Sequence, residues 1–348
     1  MKDSKYMATG EWLRGEGPES DIVISSRLRL ARNVAGFKFL YRASSDERSR
    51  INALLCENIR KAGVADDMIY YDLESVNAIE RSYLVERHLI SRELADSRGP
   101  RSVAVGRDES LSIMVNEEDH LRIQVLQSGF RLREALQCMN EVDDKLSVLV
   151  DYAFSPQYGY LTACPTNVGT GIRVSVMLHL PALEWTKQLR KVFKAVNKMN
   201  LAVRGLYGEG TQASGDFYQV SNQVTLGKTE EEIISTVESV VKQIIRYERQ
   251  VRQALVTDSR TSLEDRVWRA YGMLKSARVI SSDETMDLLS SVRMGVNMGL
   301  IGEVSIETVN ELFIQTQPAH LQKREGREID TTMRDATRAR FIRSRLSN

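Results

Sequence analysis

The segment from residue 161 to residue 180 places a thiol and a guanidinium group in one turn and strand. Cys164 lies in a turn of small residues that contains Pro165 and two glycines. Apolar and polar residues then alternate, which predicts a strand with one buried face and Arg173 on its less apolar face. A thiol and a fixed cation held in this way favour an anionic ligand nearby. An edge strand with a solvated arginine is the alternative from this segment alone.

A second concentration of positive charge begins at residue 21, where a short apolar strand becomes densely basic. In an extended chain, Arg27 and Arg29 share one face, and Leu28 and Leu30 take the other. Two neighbouring guanidinium groups repel each other unless an anion or a carboxylate lies between them. Judged alone, the segment favours a pair of surface arginines.

Three consecutive acids, Glu117, Glu118 and Asp119, follow a predicted strand. Gathering them is costly unless cations or protons neutralise their charge. Arg122 comes next and begins a new alternation of apolar residues, so the acids are tied to core structure. A solvated acidic turn is the alternative.

A glycine-rich bend after residue 201 carries another arginine and another carboxylate, Arg204 and Glu209. Five arginines therefore have positions linked to strands: Arg27, Arg29, Arg122, Arg173 and Arg204. If they converge, they would balance a polyphosphate such as ATP with its Mg²⁺, because phosphoryl transfer depends mainly on positioning and charge stabilisation. The carboxylates would then face a cationic acceptor such as a guanidinium, orient it and take its proton.

Strand and helix signals alternate up to about residue 255, and only helical signals follow, which predicts an α+β chain. The predicted helices span 44–63, 82–94, 130–151, 181–199, 229–254, 261–278, 282–300 and 304–315. The predicted strands begin at 21, 102, 111, 122, 172, 201 and 217. His88 on the second helix is more often structural than functional. Arg334 and Arg338 share one face of a basic terminal helix, which indicates either a solvated face or a site for phosphate or an acidic peptide.

The composition excludes several classes of protein. The formal net charge is +1, so no global charge favours a nucleic-acid or membrane partner. The three cysteines are widely separated and have no metal-site spacing, which favours a reducing compartment. The sequence contains no signal peptide, membrane-spanning run, P-loop or zinc-protease motif. We therefore expect a cytoplasmic protein.

Four segments in order resemble the phosphagen (guanidino) kinase family. They are Ile24-Ser-Ser-Arg-Leu-Arg-Leu-Ala-Arg, Asn116-Glu-Glu-Asp-His-Leu-Arg, Cys164-Pro-Thr-Asn-Val-Gly-Thr and Arg204-Gly-Leu-Tyr-Gly-Glu. Three further segments resemble the branch of that family that phosphorylates protein arginines. These are Gly17-Pro-Glu-Ser-Asp-Ile-Val, Leu84-Val-Glu-Arg-His-Leu-Ile-Ser and Arg334-Asp-Ala-Thr-Arg-Ala.

The resemblance implies a phosphagen-kinase-like catalytic domain, with an antiparallel sheet flanked by helices, followed by an all-helical domain. The expected division is a lead segment at 1–20, the catalytic domain at 21–255 and a helical dimerisation domain at 256–348. The last domain would carry a phosphoarginine-binding, allosteric box made of Arg334, Asp335 and Arg338.

The resemblance also implies roles for individual residues. Glu118 would be the catalytic base or guanidinium anchor, Glu209 the second carboxylate and Cys164 the thiolate near the guanidinium. The residues expected to hold the nucleotide are Ser25, Ser26, Arg27, Leu28, Arg29, His88, Arg122, Arg173, Val174, Ser175, Val176, Met177, Arg204, Gly205, Leu206, Tyr207, Gly208 and Glu209. No protein-bound metal is expected, since Mg²⁺ would be held through ATP.

The activity implied is transfer of the ATP γ-phosphoryl group to arginine side chains of proteins. Such transfer would mark proteins for the ClpC/ClpP protease in stress response and protein quality control, and would inactivate the repressor CtsR. The implied partners also include a zinc-binding activator, McsA, and a second copy of the chain. A free guanidino-compound (arginine) kinase and a non-catalytic phosphoarginine reader or adaptor are the alternatives. Free arginine is a less expected acceptor, because only about twenty residues precede the first segment, where small-molecule members carry an extra helical domain.

Overall fold

The centre of the molecule is an eight-stranded antiparallel sheet in the order β2-β3-β4-β5-β1-β8-β10-β9. The computed structural model describes residues 10–205 and 213–347. The strands of this sheet are β1 (Val23–Arg32), β2 (Met68–Asp72), β3 (Ser102–Gly106), β4 (Leu111–Val115), β5 (Leu121–Ser128), β8 (Ile172–His179), β9 (Leu201–Gly205) and β10 (Phe217–Asn222). A separate hairpin pairs β6 (Phe154–Ser155) with β7 (Gly159–Tyr160).

Helices cover one face of the sheet. They are α1 (Ser45–Ala62), α4 (Leu132–Ser147), α6 (Leu189–Asn197) and α7 (Glu230–Asp258). Every second residue of the central strands points into this layer, and Leu28, Val125, Val174 and Val176 are fully buried there. The alternation read from the sequence is therefore the alternation of a sheet that has one helix-covered face.

The C-terminal helices cover part of the opposite face. They are α8 (Arg260–Ser276), α9 (Ser282–Asn297), α10 (Ile306–Gln315), α11 (Pro318–Glu325) and α12 (Thr331–Leu346). Met177 and Phe217 of the sheet share a buried apolar cluster with these helices, and Phe217 packs edge-on against Phe313 at 4.7 Å. Trp12, in a short 3-10 helix (Glu11–Leu13), belongs to the same cluster. The rest of this face carries polar and charged residues.

Two helices expected from periodicity are interrupted. The segment 82–94 divides into α2 (Ala78–Glu86) and α3 (Arg92–Asp96), and His88 between them has a φ of 59°. Its carbonyl accepts a hydrogen bond from Gln124 Nε2 at 2.7 Å, so a tertiary contact replaces a helical one. The segment 181–199 likewise divides into α5 (Pro181–Trp185) and α6. Periodicity alone does not detect such breaks.

Other differences concern strands and boundaries. The edge strand β2 was not predicted, and β10 ends at Asn222 instead of continuing to residue 226. Only Ser259 separates α7 from α8, near the expected domain boundary. Within the described ranges, no helix has both the length and the apolar character needed to cross a membrane.

Candidate active site

The five arginines singled out from the sequence line one cleft of about 610 Å³. Strand register explains their convergence: Arg29 lies opposite Arg173 on β8, and Ala31 of the same β1 face lies opposite Arg122 on β5. Arg204 on the edge strand β9 lies opposite Gln219 of β10, which also lines the cleft. One sheet face therefore carries a row of guanidinium groups.

The floor of this cleft is electrostatically unfavourable without an anion. Arg29 and Arg173 are directly opposed like charges, an arrangement that destabilises a sheet. The Nε atoms of both are buried and have no hydrogen-bond partner among the described residues. Burial and the neighbouring arginines lower the pKa of both guanidinium groups. Uncompensated positive charge with unused donors is the property of a phosphate-binding surface.

Arg27 is held more firmly. Its guanidinium donates hydrogen bonds to Gln219 Oε1 and, at 3.4 Å, to Ser175 Oγ. Burial, together with Arg173 and Arg122, lowers the pKa of Arg27 to about 10. The neutral amide and hydroxyl orient this cation without cancelling its charge.

Glu117 and Glu118, the two glutamates of the acidic turn that line the cleft, differ in what they can do. Arg122 donates to Glu117 Oε1 at 2.6 Å and to Glu118 Oε2 at 3.1 Å. Glu117 also accepts from Ser91 Oγ at 2.6 Å, so its carboxylate is fully engaged. The Glu118 side chain is 47% exposed, and burial, followed by the nearby acids Asp119 and Glu117, raises its pKa in spite of Arg122. Of these two acids, Glu118 is the one available to an incoming group.

Asp119 joins the acidic turn to the thiol turn. Its Oδ1 accepts from Asn33 Nδ2 and from the Ala163 amide, both at 2.6 Å. The next residue, Cys164, lines the cleft, with its Sγ 3.0 Å from Thr166 Oγ1. The buried carboxylate thereby sets the position of the thiol relative to Glu118.

The other residues expected to hold the nucleotide lie in different places. Side chains of Leu28, Val174 and Val176 point into the helix-covered core, so only their main chain can face a ligand. The remaining strand residues outside the cleft lining are Ser25, Ser26, Ser175 and Met177. Gly205 lines the cleft, whereas Leu206, Tyr207, Gly208 and Glu209 are outside the described residues.

His88 lies beside the cleft and not in its lining. It packs edge-on against Trp12 at 5.0 Å and, with Arg27, lines a small separate cavity. Burial, Arg27 and Arg92 lower the pKa of His88 to about 3, so the ring is neutral. A neutral imidazole here contributes shape and hydrogen bonding without charge.

The box on α12 contains two differently placed arginines. Arg338 is buried and donates to the carbonyls of Thr316 and Ile280 at 2.8 and 2.9 Å, and to Asp335. Arg334 is partly exposed and donates to Ile329 O and Thr331 Oγ1. Arg338 is therefore committed to the fold, and Arg334 is the more accessible cation.

Sequence reasoning missed several cleft residues, among them Glu93, Thr166, Asn167 and Gln219. The period of two along β10 puts Gln219 and Ser221 on one face, which is the signal that would have found Gln219. Glu93 follows the unexpected helix break, so nothing in the local pattern indicates its position. The described residues contain no group of three or more His, Cys, Asp or Glu side chains arranged to hold a metal ion.

Two sequence profiles together span most of the chain. The profile of the ATP:guanido phosphotransferase C-terminal catalytic domain matches residues 50–251. The chain belongs to the ATP:guanido phosphotransferase family. A second profile, that of the protein-arginine kinase McsB C-terminal domain, matches residues 260–348. As a member of this family, the chain is an ATP-dependent phosphotransferase.

Full-length relatives place the chain in the protein-arginine kinase branch of the family. It is 48% identical to the protein-arginine kinase of Symbiobacterium thermophilum over 98% of this chain and 97% of the relative. It is 46% identical to that of Pelotomaculum thermopropionicum, over 100% of this chain and 99% of the relative.

Solved structures of the family share the fold. A duplicated taurocyamine kinase from Schistosoma mansoni, with bound transition-state-analogue components, aligns with a TM-score of 0.61 and 29% identity. That alignment covers 67% of this chain and 34% of the taurocyamine kinase. A lombricine kinase aligns with a TM-score of 0.59 and 25% identity, over 69% of this chain and 70% of the other. The expected fold, an antiparallel sheet flanked by helices with a helical C-terminal region, is confirmed.

Proposed function

We propose that this chain transfers the γ-phosphoryl group of ATP to guanidinium groups of arginine side chains in proteins. One observation carries the proposal: five arginines line a single cleft that also contains a half-exposed carboxylate, Glu118. The cations suit the phosphates of ATP, and the carboxylate suits a guanidinium acceptor. The names of the full-length relatives support a protein acceptor.

In the proposed reaction, Arg27, Arg29, Arg122, Arg173 and Arg204 bind the phosphates and stabilise the charge that develops during transfer. Mg²⁺ would accompany ATP and neutralise phosphate charge. A guanidinium nitrogen bound at Glu118 attacks the γ-phosphorus. The N–P bond forms, the bond to the ADP oxygen breaks, and the nitrogen loses a proton to Glu118. We assign Cys164 to the acceptor side of the cleft and Glu209 to the role of second carboxylate.

Arg122 links the two halves of this site, because its guanidinium lines the cleft and also binds Glu118. Phosphate charge placed near Arg122 would compete for that cation and leave Glu118 more basic. The proposed site therefore couples nucleotide binding to activation of the acceptor.

The finer biological role is also a proposal. The phosphorylated proteins would be marked for ClpC/ClpP degradation, CtsR would be inactivated, and an McsA-like zinc-binding protein would activate the kinase. We further propose a cytoplasmic homodimer, with the helical segment 256–348 providing the dimer contacts. These roles rest on the family resemblance.

The activity is tested by incubating the protein with Mg-ATP and an arginine-rich protein, then mapping acid-labile phosphate. Phosphate on arginine is expected, and phosphate only on Ser or Thr, or none, would overturn the proposal. Competition between free arginine and the protein substrate distinguishes a free-guanidino kinase from a protein-arginine kinase. Phosphoarginine binding without ATP turnover would favour the reader or adaptor.

The box on α12 is proposed to bind phosphoarginine and to regulate the activity. Arg334 is the residue to test, because removing the buried Arg338 would damage the fold itself. Free phosphoarginine should change the activity of the wild-type protein, and Arg334→Ala should abolish that response while leaving the activity without effector unchanged. If phosphoarginine changed the activity of Arg334→Ala as much as that of the wild type, Arg334 would not belong to the effector site.

A further inference from the structure

A second cavity, of about 340 Å³, adjoins the cleft. Glu117 and Glu118 line both cavities, but none of the five cleft arginines lines the second one. Ala163, the neighbour of Cys164, also belongs to its lining. Glu118 therefore lies between the arginine-lined cleft, which suits phosphates, and a second cavity that none of those five arginines lines.

The second cavity contains two cations that lack a carboxylate partner among the described residues, Arg48 and Arg98. The Nε of Arg48 is buried and has no hydrogen-bond partner among the described residues. Its Nη2 donates to Leu40 O at 2.5 Å. Arg98 is exposed. Glu117 and Glu118, the acids of the cavity, form no ion pair with Arg48 or Arg98 among the described residues, because both bind Arg122.

Arg48 is fixed to the acidic turn. Its carbonyl oxygen accepts a hydrogen bond from Asn116 Nδ2 at 2.9 Å, and Asn116 immediately precedes the glutamates. The φ of Asn116 is 60°, a left-handed conformation that starts the turn. A ligand held by Arg48 is consequently in a defined position relative to Glu118.

An aromatic side chain completes the cavity. Tyr41 lines it and is 66% exposed, with its ring stacked on Phe39 at a centroid distance of 6.1 Å. A rigid, exposed ring offers contact area to a peptide at low entropic cost, and the Arg42 guanidinium already lies over it, 5.5 Å from the ring centroid. The cavity is at the small end of the range for specific ligand sites, which suits a few side chains.

We propose that this cavity binds the acceptor polypeptide around its target arginine and selects for acidic flanking residues. The target guanidinium lies at Glu118, and a flanking Asp or Glu pairs with Arg48 and Arg98. Lysine or arginine in the flank would meet Arg98 as a like charge, which disfavours polybasic segments. The inference rests on the proposed function and adds to it a substrate class and the residues that recognise it.

The test uses three fluorescent peptides that contain one arginine each and differ only in flanking Glu, Gln or Lys. For the wild-type protein we expect kcat/KM to fall from Glu to Gln to Lys, with roughly a tenfold span. Arg98→Glu should reverse the order without changing the KM for ATP. Arg107→Glu is the matched control, because Arg107 is exposed, has its ion pair with Asp67 among the described residues, and lines neither cavity. It should keep the wild-type order.

Peptide binding, followed by fluorescence anisotropy, separates this inference from the proposed function. Absence of phosphoarginine on every peptide would contradict the proposed function, whereas Arg98-dependent binding of the Glu peptide would still support the cavity. Equal binding and turnover of the three peptides, or an unchanged order in Arg98→Glu, would overturn the inference. Free arginine carries its own carboxylate, which could also pair with Arg98. If free arginine were phosphorylated as efficiently as the Glu peptide, and if this turnover depended on Arg98, the assignment of the cavity to a polypeptide would be overturned.

Discussion

Glu117, Glu118 and Asp119 are consecutive in the chain, yet each has a different environment. The Glu117 side chain is only 2% exposed and is bound by Arg122 and Ser91. Glu118 is half-exposed at the cleft, and Asp119 is completely buried against Asn33 and the thiol turn. Two of the acids are bound within the fold, and Glu118 is the one to which we assign the proposed chemistry.

The first prediction separates these roles by substitution. Glu118→Gln should lower kcat by roughly a hundredfold or more, because the amide accepts no proton, while changing the unfolding free energy by less than about 0.5 kcal/mol. Glu117→Gln should instead destabilise the protein by about 3 kcal/mol, because it breaks a buried ion pair. Phosphoryl-transfer kinetics and urea unfolding of both variants provide the measurement. If Glu118→Gln kept the wild-type kcat, a group other than Glu118 would have to be the proton acceptor.

The second prediction concerns pH. Burial and neighbouring acids raise the pKa of Glu118, and a proton acceptor works only when it is ionised. We therefore expect kcat/KM to fall as the pH decreases through a pKa above the ordinary range of glutamate. The acid limb of the pH–rate profile measures this value. A limb at the ordinary glutamate pKa would contradict the assignment.

A network of hydrogen bonds joins β8, α9 and the residue before β10. Arg293 Nη1 of α9 donates to His179 Nδ1 of β8 at 2.9 Å, and His179 Nε2 therefore donates to Ser290 Oγ at 2.9 Å. The Ser290 hydroxyl then donates to Asp216, one residue before β10. Burial lowers the pKa of His179 and raises that of Asp216 to about 6. These hydrogen bonds fix the start of β10 to a C-terminal helix.

The third prediction follows from the raised pKa of Asp216, which is about 6 instead of the ordinary 3.8. Between these values the folded state binds more protons than the unfolded state, so stability should decrease as the pH rises through this window. Asp216→Asn removes the charge and should be more stable than the wild type above pH 6, by on the order of 2 kcal/mol. Urea unfolding at pH 4.5 and 7.5 tests this. Asp66→Asn, at an exposed site, is the control, and equal pH slopes in both variants would refute the prediction.

The C-terminal helices and the N-terminal segment form one packed unit with the sheet. Arg293, which is completely buried, donates to the carbonyls of Ser20 and Asp21 at 2.7 and 3.1 Å. On another side, Glu86 of α2 accepts from the amides of Ala319 and His320 at the start of α11. The C-terminal helices therefore make polar as well as apolar contacts with the N-terminal segment, α2 and the sheet.

The fourth prediction tests this integration. Arg293→Met should lower the unfolding free energy by about 3 kcal/mol or more, because the Ser20 carbonyl and Asn310 Oδ1 would lose the donor that Arg293 supplies. Arg269→Met is the matched control, since the Arg269 side chain is 74% exposed, and it should change stability little. Chemical denaturation measures both. Equal midpoints for the two variants would show that Arg293 does not hold the segments together.

Local pattern predicted the faces of the central strands correctly. The alternation through β1 separates Arg27 and Arg29 from Leu28 and Leu30, and this separation is determined by strand geometry alone. Pattern did not predict the break at His88, because its left-handed φ depends on Gln124, which is distant in sequence. Glu93 escaped detection for the same reason.

The sequence by itself determined the α+β class and the kinds of group in the cleft, because these depend on residue types and local periodicity. Its motifs determined the family, and the resemblance implied the antiparallel sheet. Only the tertiary structure decided which groups meet. Arg29 reaches Arg173 through pairing between strands more than a hundred residues apart, and Glu118 differs from Glu117 through its contacts with Arg122 and Ser91. Register, burial and the choice of partners arise from long-range packing, and they determine which carboxylate is available and which arginines lack a counter-ion.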